Sequence, residues 1–188
     1  DNIRKALVYL LSGNAGELAV MLIASVFGLP APLLPLHLLW INLVTDGLPA
    51  LALVMDPTEE GVMQRPPRRP DDPMLGRSEW TTVLVTGALQ TAATLGVFVW
   101  ALRERDVTEA RNLAFSVIVF GELFRAFAAR SATKTFMEIG ALSNLTLLGV
   151  VVVSVVVQLG IHHIPATQKL FQIGALSLAD CALGVVVG

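Results

Sequence analysis

Residues 142–161 read LSNLTLLGVVVVSVVVQLGI, a run without a single charged side chain. A helix needs about 20 mostly apolar residues to cross the hydrocarbon core of a bilayer, and this run meets that length. Inside lipid an open strand leaves backbone groups unsatisfied. The valines between 150 and 157 therefore read as helix despite their β-branching. Working outward, comparable stretches cover Ile3 to Phe27, Leu34 to Met55, Trp80 to Leu102 and Thr108 to Ala128. A sixth begins near Ser177, where Ser177-Leu178-Ala179-Asp180 fits a capping box, and about half a span follows. The expected fold class is all-α: a polytopic transmembrane helical bundle with five full spans and a partial sixth.

The composition agrees. Of 188 residues 54% are hydrophobic and 15% charged, against about 25% charged in soluble domains. A net charge of −2 leaves no basic footprint for nucleic acid. The lone Cys181 makes neither a disulfide framework nor a cysteine metal site. With no signal-peptide pattern and an abrupt opening on Asp1-Asn2-Ile3, the chain is expected to be a fragment of a longer polypeptide. It reads as one domain over 1–188, with a polar, Pro-rich loop at 56–79 centred on Arg65-Pro66-Pro67-Arg68-Arg69-Pro70.

Orientation is read from Lys and Arg. With the N-terminus in the cytoplasm, inner segments hold Arg4, Lys5, Arg65, Arg68, Arg69, Arg77, Arg125, Arg130 and Lys134. Outer segments hold Arg103, Arg105, Arg111 and Lys169. His162 and His163 fall in an outer loop without a third ligand, too few for a metal site.

Acids inside a span are costly and usually mark an ion or proton path. Glu17, Asp46 and Glu122 lie well inside the first, second and fourth stretches, whereas Asp180 sits at a helix start, where capping explains it. Asn14 and Glu17 share a face at i, i+3; Asn42, Thr45 and Asp46 share one at i, i+3, i+4. These six candidate metal ligands offer only oxygen acceptors, counting amides by their carbonyls, which is hard-cation chemistry: calcium takes 6–8 oxygens in flexible geometry. Gly47-Leu48-Pro49 follows directly, and a proline that cannot donate to Thr45 is expected to unwind the span locally. The plain alternative is that such residues only glue helices together.

At these residues the chain resembles the type II P-type ATPases in their calcium-pump form. Asn42-Leu43-Val44-Thr45-Asp46-Gly47-Leu48-Pro49-Ala50 resembles their sixth transmembrane helix, and Ser12-Gly13-Asn14-Ala15-Gly16-Glu17 their fifth. Met63-Gln64-Arg65-Pro66-Pro67-Arg68 resembles the loop between helices six and seven. Ala114-Phe115-Ser116-Val117-Ile118-Val119 with Glu122 resembles the eighth. The last two stretches match only in pattern.

The resemblance implies that the chain is the C-terminal, cation-translocating part of such a pump, helices five to ten. Asn14, Glu17, Thr45, Asp46 and Glu122 would form a first calcium site, and Asn42 with Asp46 a share of a second, completed by a fourth helix outside this chain. An acid at Glu17 implies the two-site, sarco/endoplasmic reticulum type, because several relatives without it carry one ion. Asn42 counts against the sodium/potassium branch. One departure is Arg125, one turn after Glu122 and able to pair with it. The family's Asp-Lys-Thr-Gly-Thr phosphorylation motif does not occur, so no catalytic residue is expected here. ATP and Mg2+ belong to actuator, phosphorylation and nucleotide-binding domains elsewhere, which with the first four helices and the lipid bilayer are the expected partners. The plasma (inner) membrane of a prokaryote is the expected location. Three carboxylates repel one another in a low-dielectric bundle, so the emptied site is expected to carry protons back. Two alternatives stand beside the calcium reading: a pump for manganese, sodium or protons, and a non-catalytic membrane scaffold.

Overall fold

The computed structural model describes residues 2–57, 73–130 and 143–188. The Arg65–Pro70 centre of the long loop, its Met63–Arg68 motif and Lys134 lie outside the described residues. Among those described, every regular element is helical: α1 (Asn2–Val26), α2 (Pro35–Val54), α3 (Arg77–Glu104), α4 (Val107–Ala128), α5 (Leu145–Ile161), α6 (Pro165–Phe171) and α7 (Leu178–Val187).

Three of these, α1, α2 and α3, are long and apolar enough to cross a membrane, and α5 with α6 makes a fourth if the pair, bent by 90°, counts as one span. The boundaries of α1 and α2 fall within a residue of expectation. Helix α4 has a span's length, 22 residues, but Glu109, Arg111, Glu122 and Arg125 make it too charged for a span on composition alone. Its position accounts for this. It is the central helix, packing against α1, α2, α3, α5 and α7, and Phe115, Ile118 and Val119 are wholly buried.

Local chemistry sets the ends. After α1, Gly28 takes the left-handed conformation at φ 65; its N–H donates to Ser25 O and that of Leu29 to Ala24 O. Those are the two bonds of a Schellman cap. Asp106, Asn144 and Ser177 each cap a helix by accepting a backbone N–H three residues on, as the Ser177 pattern predicts. Small residues let α1 and α3 approach closely: Gly16 faces Gly87, and the Thr91 hydroxyl reaches Gly16 O at 3.3 Å.

The two ends of the bundle are tied differently. At one end Arg4 pairs with Glu79, and Asp56 pairs with Arg130 at 3.0 Å while accepting from Asn144 at 2.7 Å. At the other, Arg105 pairs with Asp180 and Arg111 donates to Ala31 O. His162, expected in a loop, is wholly buried there, with ring nitrogens on Gly174 O and Gln158.

Candidate functional site

The middle of α2 departs from α-helical winding. Residues Ile41–Gly47 form a π-helix, a wide turn that often accompanies function. The expected unwinding at Gly47–Pro49 thus takes the form of a broadened turn, with the chain helical throughout. Pro49 has no N–H for the Thr45 carbonyl one turn back. The Tyr9 hydroxyl, on α1, donates to that carbonyl at 2.9 Å, so a neighbouring helix replaces the missing donor. Tyr9→Phe is expected to cost about 1–2 kcal/mol, read as earlier thermal unfolding in detergent.

Around this turn the three buried acids converge. Glu17 from α1, Asp46 from α2 and Glu122 from α4 each present a carboxylate oxygen, and these lie within 4.8 Å of one another. Asp46 and Glu122 are wholly buried and Glu17 is 3% exposed. Oxygens sharing one calcium ion at about 2.3–2.6 Å stand no more than about 5 Å apart, so this spacing suits a common cation. Both oxygens of Asp46 and Oε1 of Glu17 are buried without a hydrogen-bond donor among the described residues. Unpartnered buried acceptors are rare, and for carboxylates the cost is especially high.

Of the remaining sequence candidates, Asn42 touches the cluster, whereas the Thr45 and Asn14 side chains bond back to their own helices. The Asn42 amide donates to Glu17 Oε2 at 3.2 Å and to Leu38 O at 2.9 Å. Its side chain is exposed while Thr45 and Asp46 are buried, so Asn42 borders the cluster on its open flank. The Thr45 hydroxyl is buried and donates to Ile41 O. The Asn14 amide donates back to Leu10 O at 2.8 Å.

Two contributors go beyond the six candidates. Gln90 of α3 donates to Glu122 Oε1 at 2.6 Å; its signal was an amide in the middle of an otherwise apolar stretch. Tyr9, the chain's single tyrosine, has none without knowing which carbonyl Pro49 strands. Arg125 pairs with Glu122, as its place one turn later in the sequence led us to expect, and it also lies over the Tyr9 ring, 4.8 Å from its centroid.

Residues 30–188 match the family model described as "Cation transporting ATPase, C-terminus". Over 185 residues, 97% of this chain, the sequence is 39% identical to a calcium-transporting ATPase of Bacillus subtilis, of which it covers 21%. It is 33% identical over 96% of its length to calcium-transporting ATPase 1 of Yarrowia lipolytica, covering 20% of it. It is 35% identical over 94% of its length to human calcium-transporting ATPase type 2C member 2, covering 19%. The chain spans about a fifth of the length of these curated relatives.

Proposed function

Because this chain belongs to the cation-transporting ATPase family, as its C-terminal region, we propose that it binds and releases the transported ion of a P-type calcium pump. The observation that carries this is the convergence of Glu17, Asp46 and Glu122 from three helices within 4.8 Å, with Asp46 oxygens that no donor among the described residues meets.

In this reading Asp46 is the central ligand, shared between the two regions of the site, and Glu17 and Glu122 flank it from α1 and α4. Asn42, Thr45 and Asn14 add carbonyl and hydroxyl oxygens as the ion enters. The open flank at Asn42 is where a fourth helix from the preceding part of the pump completes the coordination. The cargo is calcium, for which an all-oxygen, partly flexible ligand set is suited. ATP and Mg2+ act on the actuator, phosphorylation and nucleotide-binding domains of the same polypeptide. Their conformational cycle reaches this region through the bundle.

The helices lie in a lipid bilayer, with α4 completing the set of spans from within and α7 contributing part of another. The Arg4–Glu79 and Asp56–Arg130 end faces the cytoplasm, in keeping with the distribution of Lys and Arg, and a prokaryotic plasma membrane is the setting. The acid at Glu17 is the feature in common with the sarco/endoplasmic reticulum type.

Once the ion leaves outward, protons take its place among the carboxylates and return, making the cycle a calcium/proton exchange. Reconstituting the intact pump in proteoliposomes tests both statements. ATP is expected to drive calcium uptake accompanied by alkalinisation of the lumen. Uptake without a pH change removes the exchange; ATPase activity driven by manganese or sodium but not calcium removes the ion assignment. Absence of any cation-stimulated ATPase activity favours a scaffold.

A further inference from the structure

Glu122 differs from the other two acids of the cluster in having both oxygens engaged by the protein. Oε1 accepts from Gln90 and Oε2 takes the Arg125 guanidinium. Asp46 keeps two buried oxygens without a donor, and Glu17 keeps one. The cluster is therefore divided. One acid is held by the chain's own donors and two keep unpartnered oxygens, while Arg125 commits Nη2 to Glu122 and keeps Nε and Nη1 buried without a hydrogen-bond partner among the described residues.

The arginine occupies a shaped seat. Its side chain is 13% exposed, and its guanidinium carbon stands 4.8 Å from the Tyr9 ring centroid, within cation–π range. Helix α1 leaves room for it at Gly13. A Cβ there would stand 2.7 Å from Arg125 Nη2, 2.7 Å from Glu122 Oε1 and 3.1 Å from Asp46 Oδ2. Ring, carboxylate and glycine thus come from two helices to hold one cationic group. Arginine keeps its proton in proteins, so this charge is permanent.

We propose that Arg125 is a built-in cation filling the Glu122 side of the cluster, so that the pump carries one divalent ion per cycle at the Asp46–Glu17–Asn42 side. This rests on reading the cluster as the transport site. A fixed positive charge in a low-dielectric site strongly repels a second cation beside it. Within this chain, three carboxylates and one guanidinium leave a charge that one divalent ion neutralises.

The test counts radioactive calcium bound at saturation per phosphorylatable site in the intact pump. About one ion is expected for the unaltered protein and for Arg125→Lys, which keeps the charge. A rise towards two is expected for Arg125→Ala and for Arg125→Gln, which keeps most of the bulk and an amide donor. Two ions in the unaltered pump would overturn the proposal while leaving the site assignment standing. So would one ion in every folded variant, since Arg125 would then not be what excludes the second. If the unaltered pump binds no calcium, the site assignment itself fails, and this proposal with it.

Discussion

Replacing Asp46 by asparagine in the intact pump is expected to lower apparent calcium affinity by at least about 100-fold, or to abolish calcium-activated phosphorylation. The change keeps the side chain's volume and one carbonyl oxygen, so the packing of a wholly buried position is preserved. What it removes is a negative charge and an oxygen aimed at the centre of the cluster. Affinity at oxygen sites follows ligand charge and number over several decades, and 100-fold corresponds to about 2.7 kcal/mol. The measurement is phosphoenzyme formed from ATP against free calcium, with thermal unfolding in calcium-free buffer as the check on folding. Glu17→Gln is expected to act in the same direction and less strongly, since one of its oxygens already accepts from Asn42. An unchanged calcium dependence in both variants would remove these residues from the site.

The second large effect is on stability, away from the ion. Asp56→Ala is expected to cost about 3–5 kcal/mol, the range for breaking one side of a buried ion pair. Asp56 is 8% and Arg130 6% exposed, with Arg130 Nη2 3.0 Å from Asp56 Oδ1. The same oxygen accepts from Asn144, whose own Oδ1 caps α5 by accepting from Leu147 N at 2.8 Å. One carboxylate therefore ties the ends of α2, α4 and α5. Arg105→Ala provides the contrast: its pair with Asp180 is partly exposed, and such pairs contribute under about 1 kcal/mol. Thermal unfolding in detergent separates the two. Equal melting shifts would show that the Asp56 cluster does not hold the helix ends together.

Most of the fold was legible because long apolar runs are written into the chain. Apolar runs of span length located α1, α2, α3 and α5, and Ser177 with Asp180 located the start of α7. Helix α4 was found by length and resisted by composition, for a physical reason. It packs against five other helices, and its two innermost charges, Glu122 and Arg125, pair with each other, with Gln90 of α3 adding a donor. The π-turn at Ile41–Gly47 was signalled by Pro49 only as a disturbance. Its direction depended on whether another helix had a donor for Thr45, and Tyr9 lies 36 residues away.

By itself the sequence determined that Glu17, Asp46 and Glu122 must be answered by partners or an ion, because charge in an apolar span is too costly to leave alone. It also determined which oxygens were available. Only the tertiary structure decided how those oxygens are shared out. Helical spacing already put Arg125 within reach of Glu122, but the second donor to Glu122, Gln90 of another helix, and the lack of any donor to Asp46 among the described residues come from the fold. That division depends on crossings of α1, α3 and α4 and on the room at Gly13, and helical periodicity along one chain carries neither.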